Sequence, residues 1–94
     1  MKHFIVTHRI DQVFDTQNDM IESFRDLWQN SGENARWLKT WYAPPGKMFC
    51  EWTAESHDAI RACFSERLKQ MAPIVSVDEV VLVDPEWLGE AGQS

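Results

Sequence analysis

A chain of 94 residues has room for one hydrophobic core, because domains run to about 50–250 residues, and a multi-domain assembly is excluded. With 44% hydrophobic and 26% charged residues it is composed like a soluble globular protein and stands far from the disordered class. Nine Lys and Arg against 15 Asp and Glu give a net charge of −6 with no basic stripe, which argues against nucleic acid and against an anionic membrane as partners.

Five tryptophans, five phenylalanines and one tyrosine make up 12% of the chain. A domain this small buries only roughly 60–65% of its extended surface. So many large rings are hard to hide, and some are expected to line a pocket or an interface. Cys50 and Cys63 are the only cysteines, too few for a disulfide-stapled secreted scaffold. No apolar run approaches the roughly 20 residues of a spanning helix, and the first residues lack a signal-peptide pattern. The expected location is the cytoplasm.

Residues 2–10, KHFIVTHRI, are rich in β-branched and aromatic side chains and predict a first strand. Asp15 or Thr16 is a suitable helix N-cap. Met20, Ile21, Phe24, Leu27 and Trp28 then fall on one face of a helix that ends at 30–32, where Gly32 suits a left-handed cap. Residues 35–43 and 47–53 flank Pro44-Pro45-Gly46 and predict a hairpin. Ser56 caps a second helix whose Ile60, Cys63, Phe64, Leu68 and Met71 repeat at helical spacing until Pro73, which stops it. An apolar run at 74–83 predicts the last strand, closed by Asp84-Pro85.

The order strand, helix, strand, strand, helix, strand predicts an α+β, ferredoxin-like βαββαβ sandwich: a four-stranded antiparallel sheet with two helices on one face. The domain occupies 1–85 and a short tail 86–94. Alternation along the strands divides their side chains. One set, Phe4, Val6 and His8; Leu38, Thr40 and Tyr42; Met48, Cys50 and Trp52; Val80 and Leu82, is assigned to the helices. The other, Ile5, Thr7 and Arg9; Trp37, Lys39 and Trp41; Phe49 and Glu51; Glu79, Val81 and Val83, lies on a face that the helices cannot cover. That patch is too apolar to stay wet. Either a second copy packed sheet to sheet or a larger partner protein would cover it, and the homodimer is the expected solution, because twofold homodimers dominate among soluble oligomers. Thr7, Arg9, Trp37, Lys39, Trp41, Phe49 and Glu51 would line its ligand-binding interior, and Trp87 and Leu88 either clasp the second subunit or pack on their own.

Trp37-Leu38, the Gly46-Lys47-x-Phe49-Cys50 hairpin, Trp52 and Ala54 before the Ser56 cap, and Pro73 before a valine-rich strand carry a resemblance. Over roughly residues 4–83 the chain resembles the small nickel-binding ferredoxin-like family. The resemblance implies a ferredoxin-like subunit, a homodimer, and binding of a divalent transition metal such as nickel. The architecture is also similar to the broader dimeric α+β barrel group, which includes cofactor-free monooxygenases and haem-degrading enzymes.

There is no H-x-x-x-H, C-x-x-C or calcium-loop spacing, so a metal site would have to be assembled from separate strands or subunits. His8 and Cys50 share one face of neighbouring strands: either they are metal ligands, or His8 is a hydrogen-bonded strand residue and Cys50 a small buried hydrophobe. His3 and His57 are expected at the surface. Glu51 and Lys39 are either an ion pair across the strands or a base beside its cation in a dry cavity. No catalytic residue is assigned, since no nucleophile–base pair or phosphate loop is present. The expected function is a small homodimeric binding protein for a metal or small ligand. The alternatives are a cofactor-free oxygenase or isomerase acting on an aromatic substrate in the dimer cavity, and a structural interaction module.

Overall fold

The structure is a computed structural model that describes residues 1–10 and 16–93, with side chains at all of these except 17, 19 and 90–93. Four strands, β1 (Lys2–Arg9), β2 (Ala35–Ala43), β3 (Lys47–Ala54) and β4 (Ile74–Glu79), form one sheet in the order β2-β3-β1-β4. Every neighbouring pair is antiparallel. The chain is therefore α+β, as expected, and β1 and β3 are the central strands.

Alternation along those central strands holds as the sequence predicts. Phe4, Val6 and His8 on β1, and Met48, Cys50, Trp52 and Ala54 on β3, are buried. They form the core with Phe24, Leu27, Ile60, Phe64 and Leu68 from the helical segments. Phe64 links the layers, with its ring centroid 5.2 Å from His8 and 5.8 Å from Trp52.

Each of the two expected helices is broken once. The first is α1 (Gln17–Ser23) followed by α2 (Arg25–Asn30). At Phe24 the amide bonds the Ile21 carbonyl at 3.1 Å, a tightened i→i+3 turn that buries the Phe24 ring and re-aims the second half. Asp15, one of the two expected caps, lies outside the described residues. The expected left-handed glycine cap is not formed: Ser31 leaves the helix in an extended conformation, and among the described residues no glycine has a positive φ. The second helix is α3 (His57–Arg61) followed by α4 (Glu66–Met71). Ser56 caps α3 as predicted, accepting from the Ala59 amide at 3.2 Å. Ser65 caps α4 in the same way, accepting from the Leu68 amide at 3.2 Å.

Two bulges change which edge-strand residues face the core. In β2 the register slips between Trp37 and Lys39, so that Trp37 opposes Trp52 while Lys39 opposes Glu51. Leu38 is the extra residue and is 41% exposed. One added residue reverses the alternation on one side of it. Thr40 and Tyr42 keep the expected helix-side position, but Trp37, expected on the open face, turns to the helices and Leu38 does not. In β4 the register slips between the partners of Thr7 and His8, which are Ser76 and Ile74. Val77 and Glu79 consequently oppose Val6 and Phe4, so Glu79 belongs to the helix side and not to the open face.

The last strand is also shorter than the apolar run suggests. It ends at Glu79; residues 80–84 have no regular structure, and Val81, Leu82 and Val83 are exposed. Asp84-Pro85 begins a helix rather than a tail. The Asp84 carboxylate accepts from the Glu86 amide at 2.9 Å and Pro85 opens α5 (Pro85–Gln93), where its missing N–H costs nothing.

Candidate functional site on the open sheet face

On the face away from the helices, the strand register sets side chains in rows. Trp41, Phe49, Thr7 and Ser76 form one row across the four strands, and Lys39, Glu51, Ile5 and Asp78 form the next. Beyond them His3 opposes Thr53, one step diagonal to Glu51. Antiparallel rows bring such neighbours within about 5–8 Å at Cβ, close enough for long side chains to meet.

They meet at Glu51. Its Oε2 lies 2.6 Å from Nε2 of His3, and its Oε1 lies 4.0 Å from Nζ of Lys39. The Glu51 side chain is only 20% exposed, flanked by Ile5 along its row and Phe49 along its strand. Lys39 in turn holds its ammonium 5.7 Å from the centroid of the Trp41 ring, within cation–π range. The result is a carboxylate gripped by an imidazole and faced by an ammonium, with apolar and aromatic side chains around it. It offers hydrogen-bond donors of both kinds to an acidic oxygen, and a flat apolar bed to a ring.

Five of the residues singled out in the sequence, Thr7, Lys39, Trp41, Phe49 and Glu51, come together on this face. Arg9 lies in a separate row opposite Lys47, four residues along β1 from Ile5 and therefore about 13 Å from the Glu51 row. Trp37 is on the other side of the sheet. His3, expected to be merely solvated, is the residue that sequence reasoning missed. Its signal was present, since it shares the parity of Ile5 and Thr7.

Trp37 belongs instead to a cleft of about 460 Å³ between the β2 edge and the α1–α2 segment, walled by Met20, Ile21, Phe24, Trp28, Trp37 and Tyr42. The Trp37 ring stands 5.9 Å from Phe24 and 6.3 Å from Trp28. Its indole N–H donates to Thr40 Oγ1 at 2.8 Å, and Thr40 Oγ1 shares a 3.1 Å hydrogen bond with the Cys50 thiol. Trp28, which its spacing places with the core, is 66% exposed on the cleft wall.

His8 and Cys50 are both buried on the helix side, where each has another partner. The Nδ1–H of His8 donates to the Ala72 carbonyl at 2.9 Å, which leaves Nε2 as an acceptor without a partner among the described residues. Burial lowers the His8 pKa below its ordinary value, and the Ala72 hydrogen bond offsets this only in part. Burial pushes the Cys50 thiol up to about 11, against a smaller opposing effect of the Thr40 hydroxyl. Among the described residues no group of three His, Cys, Asp or Glu side chains is placed to hold a metal ion. His8 and Cys50 thus supply two donors, with no third His, Cys, Asp or Glu grouped with them among the described residues.

Comparison with protein-family models, with curated proteins and with solved structures gives no match for the chain.

Proposed function

We propose that the chain is a ferredoxin-like subunit of a homodimer, a dimeric α+β barrel, whose sheet faces enclose a site for a small planar aromatic molecule bearing an acidic oxygen. The observation that carries this reading is the 2.6 Å contact between His3 and Glu51, with Lys39 Nζ 4.0 Å from the same carboxylate, on a face otherwise furnished by Ile5, Phe49 and Trp41. Trp41 is half exposed, and an aromatic of this size on an uncovered sheet favours burial against a second apolar surface. Aromatic walls with a few convergent polar groups are the usual make-up of a small-molecule site.

In this reading Trp41 and Phe49 stack the ring, Lys39 and His3 take its carboxylate or phenolate oxygen, and Glu51 orients His3. The test is a tryptophan-fluorescence titration with salicylate and with 1,4-naphthoquinone, using wild type, Lys39→Ala, Glu51→Gln and Trp41→Phe. Saturable quenching that is lost in Trp41→Phe and weakened in Lys39→Ala supports the site. Quenching that survives both places the ligand elsewhere, and no saturable response to either probe removes the reading.

A second reading rests on the same contact. A carboxylate holding an imidazole in one orientation is an arrangement for proton transfer, which makes His3 a base toward an acidic C–H of a bound isomerisable carbonyl compound. Deuterium wash-out from such a compound, abolished in His3→Gln, would support it. Equal exchange rates with and without protein would exclude it.

A further inference from the structure

Residues 81–88, the arm after β4, leave a run of large apolar side chains exposed. Val81 is 85% exposed and Trp87 65% exposed, and Leu82, Val83 and Leu88 are also exposed. Trp87 and Leu88 of α5 are not part of the hydrophobic core. The radius of gyration is 15.3 Å, against about 12 Å for a compact chain of this length. The cleft beside β2 is the complementary case: an apolar hollow of about 460 Å³ with Ile21 and Trp28 exposed on its walls.

Within one chain the two stand at opposite edges of the sheet, because the order β2-β3-β1-β4 puts the arm's root on one edge and the cleft on the other. In a sheet-to-sheet dimer with the twofold axis along the strands, rotation reverses that order and sets β4 of one copy over β2 of the other. The root of each arm then lies beside its partner's cleft. Residues 80–84, when fully extended, span about 16 Å, enough to round the edge of a neighbouring sheet across the roughly 10 Å between layers.

Charge favours the same path. Residues 80–94 contain Asp84, Glu86 and Glu90 and no Lys or Arg. β2, the strand to be rounded, carries Arg36 and Lys39 and no acidic residue. Both lie on the open-face side of β2, since their register partners are Thr53 and Glu51.

The geometry points to an exchanged arm: residues 80–88 of one copy cross the β2 edge of the second, pass Asp84 and Glu86 by Arg36 and Lys39, and seat Trp87 and Leu88 in its cleft. This interaction rests on the dimer proposed above and adds its second contact. It turns the cleft from a candidate small-molecule pocket into a socket for a second copy of this chain.

The experiment is disulfide trapping between Ile21→Cys and Trp87→Cys, both at exposed positions, while the native Cys50 and Cys63 are buried. Mixing the two single variants under mild oxidation is expected to give a covalent heterodimer. The double variant is expected to give an intermolecular rather than an intrachain bond. Truncation after Asp84 is expected to weaken the dimer by about tenfold or more, as loss of a buried aromatic anchor does. An intrachain disulfide in the double variant overturns the exchange, since the arm then folds on its own body. A dimer by sedimentation that gives no cross-link and is unchanged by truncation overturns the arm while sparing the sheet interface. A monomer by sedimentation overturns both.

Discussion

His3 on β1 and Glu51 on β3 meet at 2.6 Å across the two central strands, on the face the helices leave open. The contact is partly buried, with the His3 side chain 36% and the Glu51 side chain 20% exposed, and such pairs contribute about 0–1 kcal/mol to stability. In the proposed function its place among Ile5, Phe49 and Trp41 serves a bound ligand. Glu51→Gln is therefore expected to shift the urea unfolding free energy by less than about 1 kcal/mol while weakening aromatic-acid binding about tenfold. A loss of more than about 2 kcal/mol with unchanged binding would make the pair a structural feature.

Leu38 is the residue that decides where Trp37 goes. As the bulge's extra residue it is exposed, and Leu38→Thr is expected to stay within about 0.5 kcal/mol of wild type in urea denaturation. Deleting Leu38 makes Trp37 and Lys39 consecutive opposite the consecutive Trp52 and Glu51, so regular alternation keeps both on their observed faces. The deletion is therefore expected to cost less than about 2 kcal/mol. A loss of more than about 4 kcal/mol would show that the fold needs the bulge itself.

His8 gives the protein a pH signature. Burial holds its folded-state pKa below the ordinary 6.5, so below pH 6.5 the unfolded chain takes up a proton that the folded chain refuses. The stability this group contributes is complete above about 6.5 and falls as pH drops through 6.5 toward the lowered value. Melting temperature is expected to fall between pH 7.5 and 5.5 in wild type and to fall less steeply in His8→Asn, which keeps a donor for the Ala72 carbonyl. Parallel profiles for the two proteins would contradict the assignment.

Cys50 should be inert in the native state. Its thiol is buried and held up to about 11, so little thiolate exists at pH 8 and little of it is reachable. Labelling with a thiol reagent at pH 8 is expected to track unfolding, with Cys50 modified only as the core opens. Rapid labelling of Cys50 in native buffer would place it nearer the surface than the structure does.

The central strands were legible in the sequence because β1 and β3 alternate without interruption: Phe4, Val6 and His8, and Met48, Cys50 and Trp52, are all buried. The hairpin at Pro44-Pro45-Gly46 was legible from its turn residues. The edges were not, because an inserted residue reverses parity and leaves no mark in composition. Leu38 and Val75 look like any other apolar strand residue, yet they place Trp37 and Glu79 on the side opposite to the one alternation predicts. The breaks in the helices were half legible. Ser65 followed by Glu66 is a helix start, obscured by the unbroken spacing of Ile60, Phe64 and Leu68. Asp84-Pro85 was read as a stop, though the same pair is a good N-cap and first position for a helix. At the site, Glu51, Lys39, Trp41 and Phe49 followed from parity, and so should His3 have done.

The claim on which the rest depends is that the open face of this sheet is covered by a second copy. Sedimentation equilibrium of wild type and of Trp41→Glu at micromolar concentrations tests it most directly. The expected result is about twice the 11.0 kDa chain mass for wild type and a shift toward the single-chain mass for the variant, which puts a charge where the second copy would pack. Wild type sedimenting at 11.0 kDa throughout that range would contradict it.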